Sequence, residues 1–211
     1  MSQLFNIHLD NPQPRLIKHT AEILQEGGVI AYPTDSGYAL GCMLGFSDAQ
    51  TRIRQIRGVD DKHLFTLVCR NLSELGTYAM VNNSQFRLLK ANTPGAYTFI
   101  LNATREVPKK LQHAKRNAVG IRVPNHAVVQ AILEAIDAPM LSMTLHITGE
   151  DEPMSEAWEI RDRLEHQLDL VIDAGHCAAG ATSVIDLTGD VPTLVRAGQG
   201  DLAPFGLEDN H

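Results

Sequence analysis

Apolar positions alternate between helical spacing and short continuous runs. Leu16, Ile17, Ala21, Ile23 and Leu24 recur at helical spacing, and Gly27-Gly28 ends that pattern. The run from Val29 to Tyr32 is apolar throughout and reads as a buried strand. It leads into P-T-D-S-G-Y-A-L-G-C, read as a turn built from Pro33, Asp35, Ser36 and Gly37. The turn places the hydroxyls of Thr34, Ser36 and Tyr38 at the strand's mouth, where α/β sheets bind small polar ligands. Gly37 and Gly41 would let backbone come close to a guest.

Further along, Ser47 or Asp48 can cap a helix that runs through Arg57, with Ile53 and Ile56 inward and Gly58 at its end. Residues 64–69 read as a strand, and 73–80 and 84–91 as short helices. After the turn Thr93-Pro94-Gly95 comes a strand over 97–101, then a basic excursion over 107–117, then a strand over 119–123 stopped by Pro124. Asn125 can cap an apolar helix over 126–136. A strand over 140–145, a helix over 155–167 and short strands at 171–173, 184–187 and 194–196 follow. Strands outnumber what a regular βαβ alternation needs, so the pattern predicts a twisted, mixed, open α/β sheet with flanking helices. No repeat or long linker interrupts it, which predicts a single domain over 1–211.

Composition narrows the class. The chain has 211 residues, 44% of them hydrophobic, enough for one sizeable core. No run approaches the roughly 18 apolar residues of a membrane span. The first residues, M-S-Q-L-F-N-I-H-L-D, lack the layout of a signal peptide. Cys42, Cys69 and Cys177 are odd in number and form no CxxC, so the expectation is a reduced, cytoplasmic protein with no membrane partner. His176-Cys177 alone offers too few ligands for zinc, and no metal site is expected. Net charge is −7, unevenly spread. Residues 1–130 hold fifteen Lys or Arg against nine Asp or Glu, while 131–211 hold three against sixteen. That asymmetry suggests one electropositive face and one repelling face.

Familiar catalytic motifs are missing. There is no P-loop and no G-x-S-x-G elbow. Gly198–Ala203 matches G-x-G-x-x-A, but the eight residues after it leave no room for a Rossmann unit. Any chemistry must come from scattered side chains around a cavity.

Several segments, in order, resemble one family. P-T-D-S-G-Y-A-L-G-C resembles P-T-[DE]-T-x-Y-G-L-G-C, and T-P-G-A-Y-T-F-I-L resembles a P-G-P-x-T strand. G-I-R-V-P-N-H matches an R-x-P strand end, and P-M-L-S-M-T-L-H-I-T-G resembles P-L-V-S-T-S-A-N-x-S-G. T-S-V-I-D and L-V-R-A-G resemble its closing S-T-V-V-D and R-x-G segments. Together, over about residues 12–198, they resemble the YrdC/YciO-like family, the fold of the L-threonylcarbamoyl-AMP synthases, most closely its YciO branch.

The resemblance implies a large basic concave surface that binds a nucleotide and double-stranded RNA or tRNA. The synthases condense threonine, bicarbonate and ATP, for modification of a tRNA adenosine next to the anticodon. ATP, with or without Mg, is therefore the implied ligand, with no tightly held cofactor. Candidate residues for nucleotide and substrate are Thr34, Tyr38, Arg57, Lys62, Arg122, Thr144, His146, Thr182 and Arg196. A triphosphate without a P-loop needs fixed cations, which Arg57, Lys62, Arg122 and Arg196 could supply. Candidate RNA contacts are Arg52, Arg54, Lys109, Lys110, Lys115 and Arg116.

The chain departs from the synthase pattern at K-x-R, where one cation is missing in either alignment of Arg57. It departs again at S-x-N, which reads Thr144-Leu145-His146, an amide exchanged for a titratable ring. Gly37 and Ala39 replace a Val and a Gly. Three readings follow: a nucleotide- and RNA-binding protein with weak or absent turnover, a working synthase or related carbamoyl- or acyl-adenylate-forming enzyme, and an ATP sensor. The oligomeric state stays open.

Overall fold

The computed structural model describes residues 1–177 and 180–208. Among them are ten strands and six α-helices. The strands are β1 (Gln3–Asn6), β2 (Ile30–Thr34), β3 (Gly37–Met43), β4 (Thr66–Val68), β5 (Tyr97–Asn102), β6 (Ala118–Arg122), β7 (Met140–Thr144), β8 (Leu170–Asp173), β9 (Ser183–Asp186) and β10 (Thr193–Arg196). The helices are α1 (Pro14–Gln25), α2 (Ser47–Arg57), α3 (Leu72–Tyr78), α4 (Asn83–Asn92), α5 (Ala127–Ile136) and α6 (Ala157–Leu164). They fall into two units, the first being Met1–His63 with His126–Ala179, the second Leu64–Asn125 with Gly180–His211.

In the first unit the strand order is β1-β8-β2-β3-β7. β1 and β2 both pair with β8 in parallel, while β3 runs antiparallel to β2 and to β7. α1 starts at Pro14, whose fixed φ suits the first helical position. It buries Ile17, Thr20, Ala21 and Leu24 and packs against α5. α5 in turn buries Val128, Val129, Ile132, Leu133 and Ile136. The expected caps are not the observed ones. α2 and α5 have Phe46 and His126 at their N-caps, and neither makes a side-chain cap bond.

Two strands lie where the pattern predicted none. β1 has only four residues. β3 occupies G-Y-A-L-G-C-M, read above as the exit of a turn. Its glycines alternate with Tyr38, Leu40 and Cys42, so a period-2 strand was hidden by residues that usually break strands. Gly41 does not make room for a guest. A Cβ there would sit 2.7 Å from the ring of Tyr32, so the space belongs to the core.

In the second unit the order is β4-β6-β5-β9-β10. β4 is parallel to β6, β5 is antiparallel to β6 and parallel to β9, and β10 is antiparallel to β9. One face carries the core. Tyr97 and Phe99 stack at 5.5 Å, and Phe205 packs on both rings. α4 begins with a capping box between Asn82 and Gln85, a device that contributes about 1 kcal/mol. Among the described residues no helix is long and apolar enough to cross a membrane.

Candidate functional site

At the tip of the β2–β3 hairpin, Asp35 and Ser36 link the two strands, and Gly37 takes φ 109°, which a side chain would resist. Thr34 ties this tip together. Its hydroxyl donates to the Gly37 carbonyl at 2.7 Å and accepts from the Ser36 amide at 3.1 Å. Tyr38 is not at the mouth of the strand, as the sequence suggested. Its ring is buried and its hydroxyl donates to the Ile172 carbonyl at 3.0 Å. Burial, then the nearby Asp173, Cys177 and Glu156, push its phenol well above the ordinary tyrosine value. On the neighbouring strand β7, Ser142 meets the Tyr32 hydroxyl at 2.7 Å, while Thr144, opposite Ala39, is exposed.

Arg57 closes α2 and clasps the segment after β7. Its Nη1 donates to the His146 carbonyl, and its own carbonyl accepts from the Thr148 hydroxyl at 2.7 Å. Gly58, at φ 62°, lies so close to Thr148 that a Cβ would stand 2.7 Å from Oγ1. The His146 ring is pinned too, its Nε2 donating to the Glu150 carbonyl at 2.8 Å, and Glu150 pairs with Arg163 at 2.6 Å. Partial burial lowers the Arg57 pKa, but a guanidinium stays cationic. The pKa of His63 is lowered by desolvation first and then by the Arg57 charge. Lys62 is exposed, and among the described residues only its backbone amide is tied, to Asp60.

The second unit gathers Arg122, Thr182 and Arg196 at one end of its sheet. Strand register explains how. Side chains alternate faces, so Phe99, Ile121 and Ile185 share the core face. Thr66, Thr98, Gly120, Arg122, Thr182 and Arg196 then share the other. A Cβ on Gly120 would touch Thr98 at 3.5 Å and Thr66 at 3.6 Å, as neighbours on that face must. The hydroxyls of Thr98 and Thr182 lie 2.9 Å apart. Arg196 donates to Thr182 three times: Nε and Nη2 to its carbonyl at 3.3 and 3.0 Å, and Nη2 to its hydroxyl at 3.2 Å. Among the described residues Nη1 makes no hydrogen bond. Arg122 is only 8% exposed, a buried cation in the same surface. Partial burial also lowers the Arg196 pKa without discharging it.

Sequence reasoning missed Thr66, Thr98 and Thr148. Thr98 alternates with Phe99 in a strand already recognised, so its face could have been read from the period. Nothing in the sequence marks Thr148 as the partner of a carbonyl 91 residues away.

Of the basic residues expected at RNA, three have internal acidic partners. Arg52 pairs with Asp169 at 2.8 Å, Arg54 with Asp61 at 3.7 Å, and Arg116 with Asp186 at 2.8 Å. Lys109, Lys110 and Lys115 are exposed and make no ion pair among the described residues. Burial would raise the Asp186 carboxyl, but hydrogen bonds from Thr188 and the Arg116 guanidinium outweigh it, and the net shift is downward.

Nucleophilic chemistry finds little support here. Burial pushes the Cys42 thiol up to about 12 and raises Cys69 and Cys177 as well, so none is a thiolate at neutral pH. Among the described residues no cluster of three or more His, Cys, Asp or Glu could hold a metal ion. What the two units offer is fixed cations and hydroxyls, the chemistry of anion binding.

Known proteins resemble this chain in sequence and fold. A family profile for Sua5, YciO and YrdC, described as "Telomere recombination", matches residues 22–198. YciO of Escherichia coli strain K12 is 55% identical over 205 residues, covering 97% of this chain and 100% of that protein. Its crystal structure superposes with a TM-score of 0.93. A Haemophilus influenzae protein is 53% identical over 206 residues, covering 97% of this chain and 100% of its own. Sua5 of P. abyssi, solved in complex with L-threonine, has a TM-score of 0.85 at 24% identity, over 93% of this chain and 58% of that one, a likeness that speaks to the fold. On the family match and these relatives, the chain belongs to the Sua5/YciO/YrdC family.

Proposed function

We propose that this chain binds a nucleotide through the Arg122–Thr182–Arg196 face of its second unit, with ATP, alone or with Mg, as the ligand. The observation that carries this reading is Arg196. One edge of its guanidinium is fixed by Thr182, while Nη1 is left without a partner among the described residues. A cation held in place before binding loses little freedom on meeting a phosphate. Buried Arg122 adds a second charge on the same face of the sheet, beside the hydroxyls of Thr98 and Thr182. The Sua5 likeness motivates threonine as a second ligand, and the exposed Thr144 hydroxyl is the group in the first unit for it to meet.

Turnover to threonylcarbamoyl-adenylate from threonine, bicarbonate and ATP is expected to be weak or absent. Arg57, the cation left in the K-x-R region, is occupied by the His146 carbonyl. Losing one charge-assisted hydrogen bond removes about 1.5–3 kcal/mol, roughly ten- to a hundred-fold in rate or affinity. Calorimetric titration with ATP tests the binding reading. The expected result is saturable binding that Arg196→Ala weakens roughly ten-fold or more, and heat at dilution level in the wild type would refute it.

A second reading, double-stranded RNA or tRNA as partner, rests on the exposed Lys109, Lys110 and Lys115, which make no ion pair among the described residues. Such contacts are made to phosphates and weaken with salt. Filter binding at several salt concentrations should show a slope that the triple alanine variant flattens. An unchanged slope would leave these lysines as plain surface.

A further inference from the structure

Two surfaces of this chain are unfinished in complementary ways. Between α3 and α4 of the second unit lies a cavity of about 420 Å³, walled by Leu72, Leu75, Ala79, Val81, Phe86 and Leu89. Phe86 is 47% exposed, and Met80 nearby in the chain is 56% exposed. A Cβ on Gly76 would meet nothing within 4 Å, so this wall is open. The surroundings are cationic. Lys90 lies one turn from Phe86, with Arg87 beside it, and neither has an ion pair among the described residues. The acidic residue of α3, Glu74, is paired with Arg70 at 3.3 Å. A groove of mixed polarity, with Ser73 and Thr77 beside its apolar side chains and cations on its rim, fits an amphipathic aromatic anchor carried among carboxylates.

The chain itself carries such an anchor. α6 buries Ala157, Ile160 and Leu164, which turns Trp158 outward, 66% exposed. Tryptophan is seldom left so bare. Asp162 stands one turn on, and Asp151, Glu152 and Glu156 are exposed just before it, while the helix's arginines are engaged, Arg161 with the Ser2 carbonyl and Arg163 with Glu150 and Glu159. We propose that a second copy of this chain is the occupant of the groove, with Trp158 of one copy entering the α3–α4 groove of its partner. The acidic neighbours of Trp158 then face the cations beside Phe86. An indole buries about 150–250 Å², well under the roughly 800 Å² per partner of a stable interface. The contact is therefore weak and reversible, strengthened if a two-fold axis forms it twice.

Trp158 is the chain's sole tryptophan, so its fluorescence reports directly on the proposed contact. Sedimentation from micromolar to millimolar concentration should show a mean mass that rises with concentration, with the emission shifting to the blue in parallel. Trp158→Ala and Phe86→Asp should each return the protein to monomer, and Lys90→Glu or added salt should shift association to higher concentration. Circular dichroism checks that each variant stays folded, and Lys90→Glu is the milder change that leaves the groove wall intact. A monomer throughout the range, or association that survives either Trp158→Ala or Phe86→Asp, would overturn the proposal.

Discussion

Arg57 in the first unit and Arg196 in the second both end on a carbonyl oxygen, yet they differ in how each is held and exposed. Arg57 spends Nη1 on His146, receives Thr148 on its own carbonyl, and keeps Nε buried without a partner. Arg196 is held by Nε and Nη2, with Nη1 making no bond among the described residues. The first arginine joins two chain segments. The second is an exposed cation, fixed along one edge by three bonds to Thr182. A motif match cannot separate these roles, because both residues read as a cation at the right place. The geometry of their acceptors does.

The strongest way to disturb one side of this comparison is Gly198→Val. A Cβ there would sit 2.4 Å from the Ala181 carbonyl oxygen and from the Thr182 carbonyl carbon, which is backbone and cannot yield easily. Overpacking of this kind costs about 1–3 kcal/mol, occasionally more. Thermal unfolding should show a clear loss of stability, with ATP binding lost through displacement of Thr182.

A smaller effect is expected on the other side from Tyr32→Phe. Ser142 is buried and loses its partner hydroxyl, so the change should cost about 1 kcal/mol by urea denaturation. ATP affinity should not move.

The smallest effect carries a pH signature. Ionised Asp186 has a folded pKa below its unfolded value. Its stabilisation is complete above the ordinary aspartate pKa of about 3.9, and is lost as pH falls through the folded value. The Arg116 side chain is half exposed, so solvent screens the pair. Arg116→Ala should therefore cost under about 1 kcal/mol at neutral pH. The gap between wild type and variant should close as the pH drops below that range. A gap that persists in acid would mean that Arg116 acts through packing.

Much of the fold was legible in the sequence, since α1, α5 and the strand ending at Arg122 follow from apolar spacing and from Gly and Pro stops. β3 was not, because Gly37, Ala39 and Gly41 hide the alternation that Tyr38, Leu40 and Cys42 carry. The candidate site was legible only as residue types and order, from which Arg122, Thr182 and Arg196 were singled out. Their common face followed only from strand register. Tyr38 and Arg57 looked available because their acceptors, the carbonyls of Ile172 and His146, are backbone atoms that no residue letter reports.

Arg196 is proposed to serve a ligand, in contrast to Arg57, which serves the chain. This contrast is tested most directly by measuring ATP affinity and thermal stability together for Arg196→Ala and Arg57→Ala. The account predicts that Arg196→Ala loses roughly ten-fold or more in affinity with little change in melting temperature, and that Arg57→Ala melts earlier with affinity nearly intact. Equal losses of affinity in both variants, or a loss confined to Arg57→Ala, would contradict it.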